Sequence, residues 1–231
     1  MASIQSTIML IYNELKTMDN LFFDTISPIL KTILIDCMQA PEFNEFRLVG
    51  GTALSLQLGH RKSDDIDLFT DAPYRSVNFE LLDNYLKKRY PYIDALEVHV
   101  AGGKSYYVGE DKQKCIKLDL YYTDKYIHGY TIKAGIRFAT IEEIIAMKMD
   151  VILRGGRKKD FWDIHELTQF YSYNQMVDLH TKRYPYSDHN EFSMRFTDFS
   201  KAEGDFTPIC LKGKEWEIIK LDLIDFFHGV L

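Results

Sequence analysis

Asp65 and Asp67 stand two residues apart in DDIDLF, where polar and apolar residues alternate with the period of a β-strand. Both carboxylates then leave one face of the strand. Like charges held side by side repel unless a cation lies between them, and one or two carboxylates plus phosphate oxygens is the usual environment of Mg²⁺. A solvated strand edge is the plain alternative, and Asp64 is left to solvent. Asp119 lies in IKLDLYY, whose apolar neighbours predict a buried strand. A buried aspartate needs a partner, either a satisfied core contact or a share in that same cation. RLVGGTALSL reads as strand, glycine pair and helix. Gly50 and Gly51 would leave free N–H groups at a helix start and let another group come close, which suits an anion such as phosphate; a simple tight turn is the alternative. His60, Arg61 and Lys62 precede the acidic pair on a loop from which they can meet a polyphosphate.

A second cluster lies in AMKMDVILRGGRKKDFWDIHEL. Lys148 sits between Met147 and Met149 on an otherwise apolar helix, where the alternative is a lysine that snorkels to the surface. Asp160 and Asp163, three apart on the next helix, share a face. Arg157, Lys158 and Lys159 oppose the helix dipole at that start, so they read either as a solvated helix end or as a contact for an anion. HExxH, GxSxG and GxxxxGK[ST] are all missing from the sequence. Zincin-type, α/β-hydrolase and Walker-type chemistry are therefore not indicated.

These residues need elements to position them. Apolar spacing from Ile11 to Met38 predicts two helices broken near Pro28. Phe46–Val49, Asp65–Phe69, Leu96–Val100, Ser105–Val108 and Cys115–Tyr122 read as strands, with Gly102-Gly103 as a hairpin turn. Helices are expected at Thr52–Leu58 behind the glycine pair and at Val77–Arg89. Thr140 with Glu143 forms a capping-box signature before IEEIIAMKMDVILR, and Gly155-Gly156 ends that helix. Another helix follows in RKKDFWDIHELTQF, with more over Gln175–Arg183, Glu191–Phe199 and Trp216–Phe227. The fold class expected is α+β: a mixed sheet flanked by helices over residues 1–138, N-terminal helices included, then a helical region over 139–231.

Composition limits the function classes. With 231 residues, 34 acidic and 28 basic side chains, the net charge is −6. Such a chain cannot hold nucleic acid by bulk charge, although a local basic patch is compatible with it. Hydrophobic residues at 46% and charged residues at 27% fit an ordinary globular protein. No apolar run approaches the ~18 residues of a membrane span, and the opening residues do not follow a signal-peptide pattern. Three cysteines spaced far apart suggest neither a disulfide framework nor a zinc site. A cytoplasmic protein is expected.

Taken together, GGTALSLQLGHRKSDDIDLF and, about eighty residues on, IEEIIAMKMDVILRGGRKKDFWDIHEL resemble the AbiEii/AbiGii toxin family of nucleotidyltransferases. The resemblance implies a polymerase-β-like nucleotidyltransferase fold, an NTP substrate and Mg²⁺. It also implies the toxin role in a toxin–antitoxin pair, with a cognate antitoxin as partner. Residue by residue, Gly51 and Thr52 match the family's phosphate turn, and Asp65 and Asp67 match its metal-binding acids. Lys148 matches its motif lysine, expected near the triphosphate. Asp160 and Asp163 match the acids of its KDxxD stretch, with Asp163 expected as the base. Threonine replaces the more usual serine, and Asp119 matches the third acid of the wider superfamily only loosely. The implied reaction moves a nucleoside monophosphate to a hydroxyl of RNA, the tRNA 3′ end among the candidates, or of a protein. A non-catalytic nucleotide- or partner-binding module and a metal-dependent phosphoesterase are the competing classes.

Overall fold

The computed structural model describes residues 21–96, 102–187 and 192–228. Phe22–Ile144 forms one compact unit, and the described residues from Ile145 onward belong to a second.

In the first unit, helix α1 (Pro28–Gln39) begins where Ser27 Oγ accepts the Leu30 N–H at 3.2 Å, with Pro28 in the first turn. Its buried positions Leu30, Ile33, Leu34, Cys37 and Met38 recur at the three- and four-residue spacing of one helical stripe. Strand β1 (Arg47–Val49) leads directly into α2 (Gly50–Leu58). Then come β2 (Asp65–Thr70), α3 (Phe79–Arg89), β3 (Tyr92–Leu96), β4 (Gly103–Gly109), β5 (Cys115–Tyr122), β6 (Tyr130–Lys133) and β7 (Ile136–Ala139). Asn78 Oδ1 caps α3 by accepting the N–H groups of Glu80 and Leu81.

Among the described residues, seven strands form one sheet in the order β3-β4-β5-β2-β1-β7-β6. The β2–β5 and β1–β7 pairs are parallel and the other pairs antiparallel. Alternation in β2 and β5 buries Ile66, Leu68, Ile116, Leu118 and Leu120, so the intervening residues face the other way. Arg137 on β7 donates to the carbonyls of Met38, Phe43 and Phe46 at 2.9, 2.8 and 3.0 Å. One guanidinium thereby ties the end of α1, the 3-10 turn Pro41–Phe43 and the approach to β1 to the sheet.

Helix α4 (Ile141–Leu153) carries buried Ile141, Ile144, Ile145, Lys148, Met149 and Ile152 on one stripe. Thr140 Oγ1 accepts the Glu143 N–H, as its capping signature predicts. The Glu143 carboxylate, however, accepts from Ile127 and His128, fixing the segment between β5 and β6. In the second unit follow α5 (Lys158–Leu167), α6 (Tyr173–Arg183), α7 (Phe192–Phe196) and α8 (Trp216–His228). Their core is aromatic. Trp162 stacks on Trp216 at 6.3 Å, Phe161 meets Phe199 edge-on at 5.0 Å, and Phe196 meets Phe227 at 4.6 Å. No described helix is long and apolar enough to cross a membrane.

Of the helix expected upstream of Pro28, residues 11–20 lie outside the described residues, and the described part holds only the 3-10 turn Phe23–Thr25. The strand expected over Leu96–Val100 is found earlier, as β3, and residues 97–100 lie outside the described residues. Two strands went unpredicted, β6 and β7. Their two-residue turn places Ala134 and Gly135 at φ 48° and 77°, a hairpin geometry that normally selects Asn-Gly.

Candidate active site

Asp65, Asp67, Lys117 and Asp119 occupy one face of two neighbouring parallel strands. In the β2–β5 register Asp65 stands opposite Lys117, and Asp67 opposite Asp119. This face is the partly exposed one, because Ile66, Leu68, Ile116 and Leu118 point into the core. Lys117 Nζ lies 2.5 Å from Asp119 Oδ2. Burial opposes the charge on Lys117, but Asp119 together with Asp67 and Asp65 outweighs it and holds the ammonium protonated above the usual lysine range. Asp119 Oδ1 is buried and has no hydrogen-bond donor among the described residues.

The glycine pair lies against this face. Val49 is extended and Gly50 takes φ 70°, turning the chain from β1 into α2. A side chain at Gly50 would put its Cβ 2.5 Å from Asp67 Oδ2, so glycine makes room for the carboxylate. At Gly51 a Cβ would collide with the guanidinium of Arg61, which is itself buried. Thr52 is fully buried; its Oγ1 donates to the Asp65 carbonyl and lies 2.9 Å from Ser63 Oγ. The hydroxyl thus braces the start of β2 against α2.

In the second unit, Lys148 Nζ lies 2.6 Å from Asp160 Oδ1 and 2.7 Å from Asp163 Oδ2. An ammonium on the buried stripe of α4 has to be matched by charge, and α5 supplies two buried carboxylates at the i, i+3 spacing. Asp160 Oδ2 also accepts the Arg157 N–H at 3.0 Å, closing the first turn of α5. Burial pushes the Asp160 carboxyl up, but Lys148 and the Arg157 N–H more than offset this and leave it below the ordinary carboxylate range. Asp163, expected as a base, is fully buried against Lys148, a position suited to holding the lysine.

One reading of the basic residues changes. Lys158 is not part of a solvated helix start: it is buried, and its Nζ donates to the carbonyls of Glu203 and Asp205 at 3.3 and 3.0 Å. Lys117, missed in the sequence, carried a readable signal: it lies two residues before Asp119 in an alternating strand and so shares its face.

With this geometry in view, the sequence model of the family described as "Nucleotidyl transferase AbiEii toxin, Type IV TA system" matches residues 32–217. The chain belongs to the AbiEii nucleotidyltransferase toxin family. It is an enzyme of the nucleotidyltransferase class, and the phosphoesterase and non-catalytic classes give way to that assignment. A relative in Aquifex aeolicus, aq_aa25, is 30% identical over 148 residues, which span 61% of this chain and 67% of that protein. JHP933 from Helicobacter pylori superposes with a TM-score of 0.56 at 20% identity, covering 87% of this chain and 88% of the other. MenT4, a nucleotidyltransferase toxin from Mycobacterium tuberculosis, gives a TM-score of 0.56 at 13% identity, covering 86% and 82%. At such identities these two structures bear on the fold, and both share it.

Enzymes of this class generally use a divalent cation. Among the described residues no three carboxylate, histidine or cysteine side chains form a ready-made cage. Mg²⁺ does not need one, since it usually takes one or two carboxylates and completes its shell with water and substrate phosphates. The donor set on β2 and β5 fits that pattern: three hard carboxylates on one face, with a buried Asp119 oxygen lacking a donor.

Proposed function

We propose that this AbiEii-family enzyme transfers a nucleoside monophosphate from an NTP to a hydroxyl of RNA, the tRNA 3′ end being one acceptor, or of a protein. It would act as the toxin of a pair whose second member is a cognate antitoxin. The observation that carries the reading is the pairing of Asp67 with Asp119, beside Asp65 and directly over the Gly50 turn. Asp65 and Asp67, with Asp119 next to them, would hold Mg²⁺, whose chemistry there is to offset charge on the phosphates. The N–H groups that open α2 at Gly51 and Thr52 cradle phosphate oxygens, and Arg61 brings a fixed positive charge to the same turn. For Lys148 the role rests on the family motif alone; within its own unit Asp160 and Asp163 hold the ammonium in place. That division of labour replaces a role for Asp163 as base with one as a positioning residue.

The test is incubation with each of the four α-labelled NTPs, Mg²⁺ and total cellular RNA or protein. Label entering one macromolecular fraction, with pyrophosphate released, names both the NTP and the acceptor class. No incorporation and no pyrophosphate from any NTP would overturn the reading. Co-expression with neighbouring small genes, scored by relief of growth arrest, tests for the antitoxin.

A further inference from the structure

The acid face holds a cation of its own. Asp65, Asp67 and Asp119 would repel one another if they stood alone, yet Lys117 shares their face, stands opposite Asp65 and reaches Asp119 Oδ2 at 2.5 Å. We propose that Lys117 is a resident counter-ion of the acid face, holding Asp119 when no metal is present and competing with the divalent cation for it. The inference rests on the assignment of these acids as the metal-holding set.

Two features support it. Lys117 is partly exposed, with 38% of its side chain accessible, so its flexible stem can carry the ammonium away without opening the core. Only Oδ2 of Asp119 is engaged by the lysine, whereas Oδ1 stays buried without a donor among the described residues. The lysine therefore satisfies half of the carboxylate and leaves the rest for a ligand of higher charge. The consequence is coupling. A cation arriving alone meets an occupied acid, whereas one arriving with a polyphosphate adds enough oxygen ligands to displace the ammonium. Lys117 would thus keep the protein from filling with metal before nucleotide.

The experiment measures Mn²⁺ binding to the full chain without nucleotide, by the loss of the free-ion EPR signal. The proteins compared are the wild type, Lys117→Met, Lys117→Arg and Asp67→Asn. Removing a like charge next to the cation should tighten binding to Lys117→Met by about threefold to tenfold. Lys117→Arg should stay near the wild type, and Asp67→Asn should bind more weakly than both. Damage to β2 or β5 would scatter the acids and weaken binding at this site, so tighter binding there is not what structural damage predicts. Equal or weaker binding by Lys117→Met, or no binding by either protein, overturns the proposal. Failure of the underlying assignment shows separately, as absence of pyrophosphate release from wild-type enzyme with every NTP.

Discussion

Asp67 and Asp119 come from strands about fifty residues apart in sequence and meet as direct partners in the parallel register of β2 and β5. Their carboxylates share the partly exposed face of the sheet, while Leu68 and Leu120 on the next register position are buried behind them. Charge is concentrated where the fold needs no side chain for packing.

Asp67→Asn follows directly from that separation. Loss of one metal-holding carboxylate should lower NMP transfer by about a hundredfold or more, in line with removal of a key charge-stabilising group. The melting temperature should move far less than activity, because asparagine keeps the size of the side chain on the partly exposed face of β2. Pyrophosphate release and a thermal melt on the same preparation check both halves.

Gly50→Ala should damage the same site from the backbone side. Alanine at φ 70° is strained by about 1 kcal/mol, and its Cβ would press on Asp67 Oδ2. The expected outcome is a modest fall in melting temperature with a much larger loss of transfer activity, because the carboxylate must move. Equal activity in Gly50→Ala and wild type would show that the close approach to Asp67 is of no consequence.

Asp160 ties α5 to α4 through Lys148, and its carboxyl is held below the ordinary range in the folded protein. The unfolded chain therefore takes up this proton first as pH falls. The associated stability is fully present above the unfolded value of about 3.9 and is lost as pH drops through the lower folded value. Asp160→Asn leaves a buried ammonium with one carboxylate and should cost about 3 kcal/mol at pH 7. The gap in melting temperature between the variant and wild type should stay constant from pH 7 to 5 and narrow below pH 4. A gap that widens on acidification would reverse the assigned sign.

Arg137→Ala would remove a donor from three carbonyls at once, those of Met38, Phe43 and Phe46, of which Phe43 keeps the Phe46 N–H. A destabilisation of about 3 kcal/mol is expected, with Arg137→Lys recovering only part of it, since an ammonium cannot reproduce the planar fork. Chemical denaturation of the three proteins measures it.

Local pattern settled a good deal. DIDLFT and CIKLDLYY alternate, and both fold as strands, Asp65–Thr70 and Cys115–Tyr122. Thr140 before Ile141 marks a helix start that the fold uses, because cap chemistry acts within a few residues. The family blocks 50–69 and 141–167 named the chemistry, and Asp65, Asp67, Lys148, Asp160 and Asp163 are legible in them. What sequence could not supply is pairing across distance. Nothing local states that β2 lies parallel to β5, which is what places Asp119 and Lys117 beside Asp65 and Asp67. Nor does it show that Lys158 is consumed by the carbonyls of Glu203 and Asp205. Spacing and caps are short-range and are written in consecutive residues. The neighbours of a charge are chosen only when strands pair and helices pack, since burial decides which carboxylate or carbonyl must answer it.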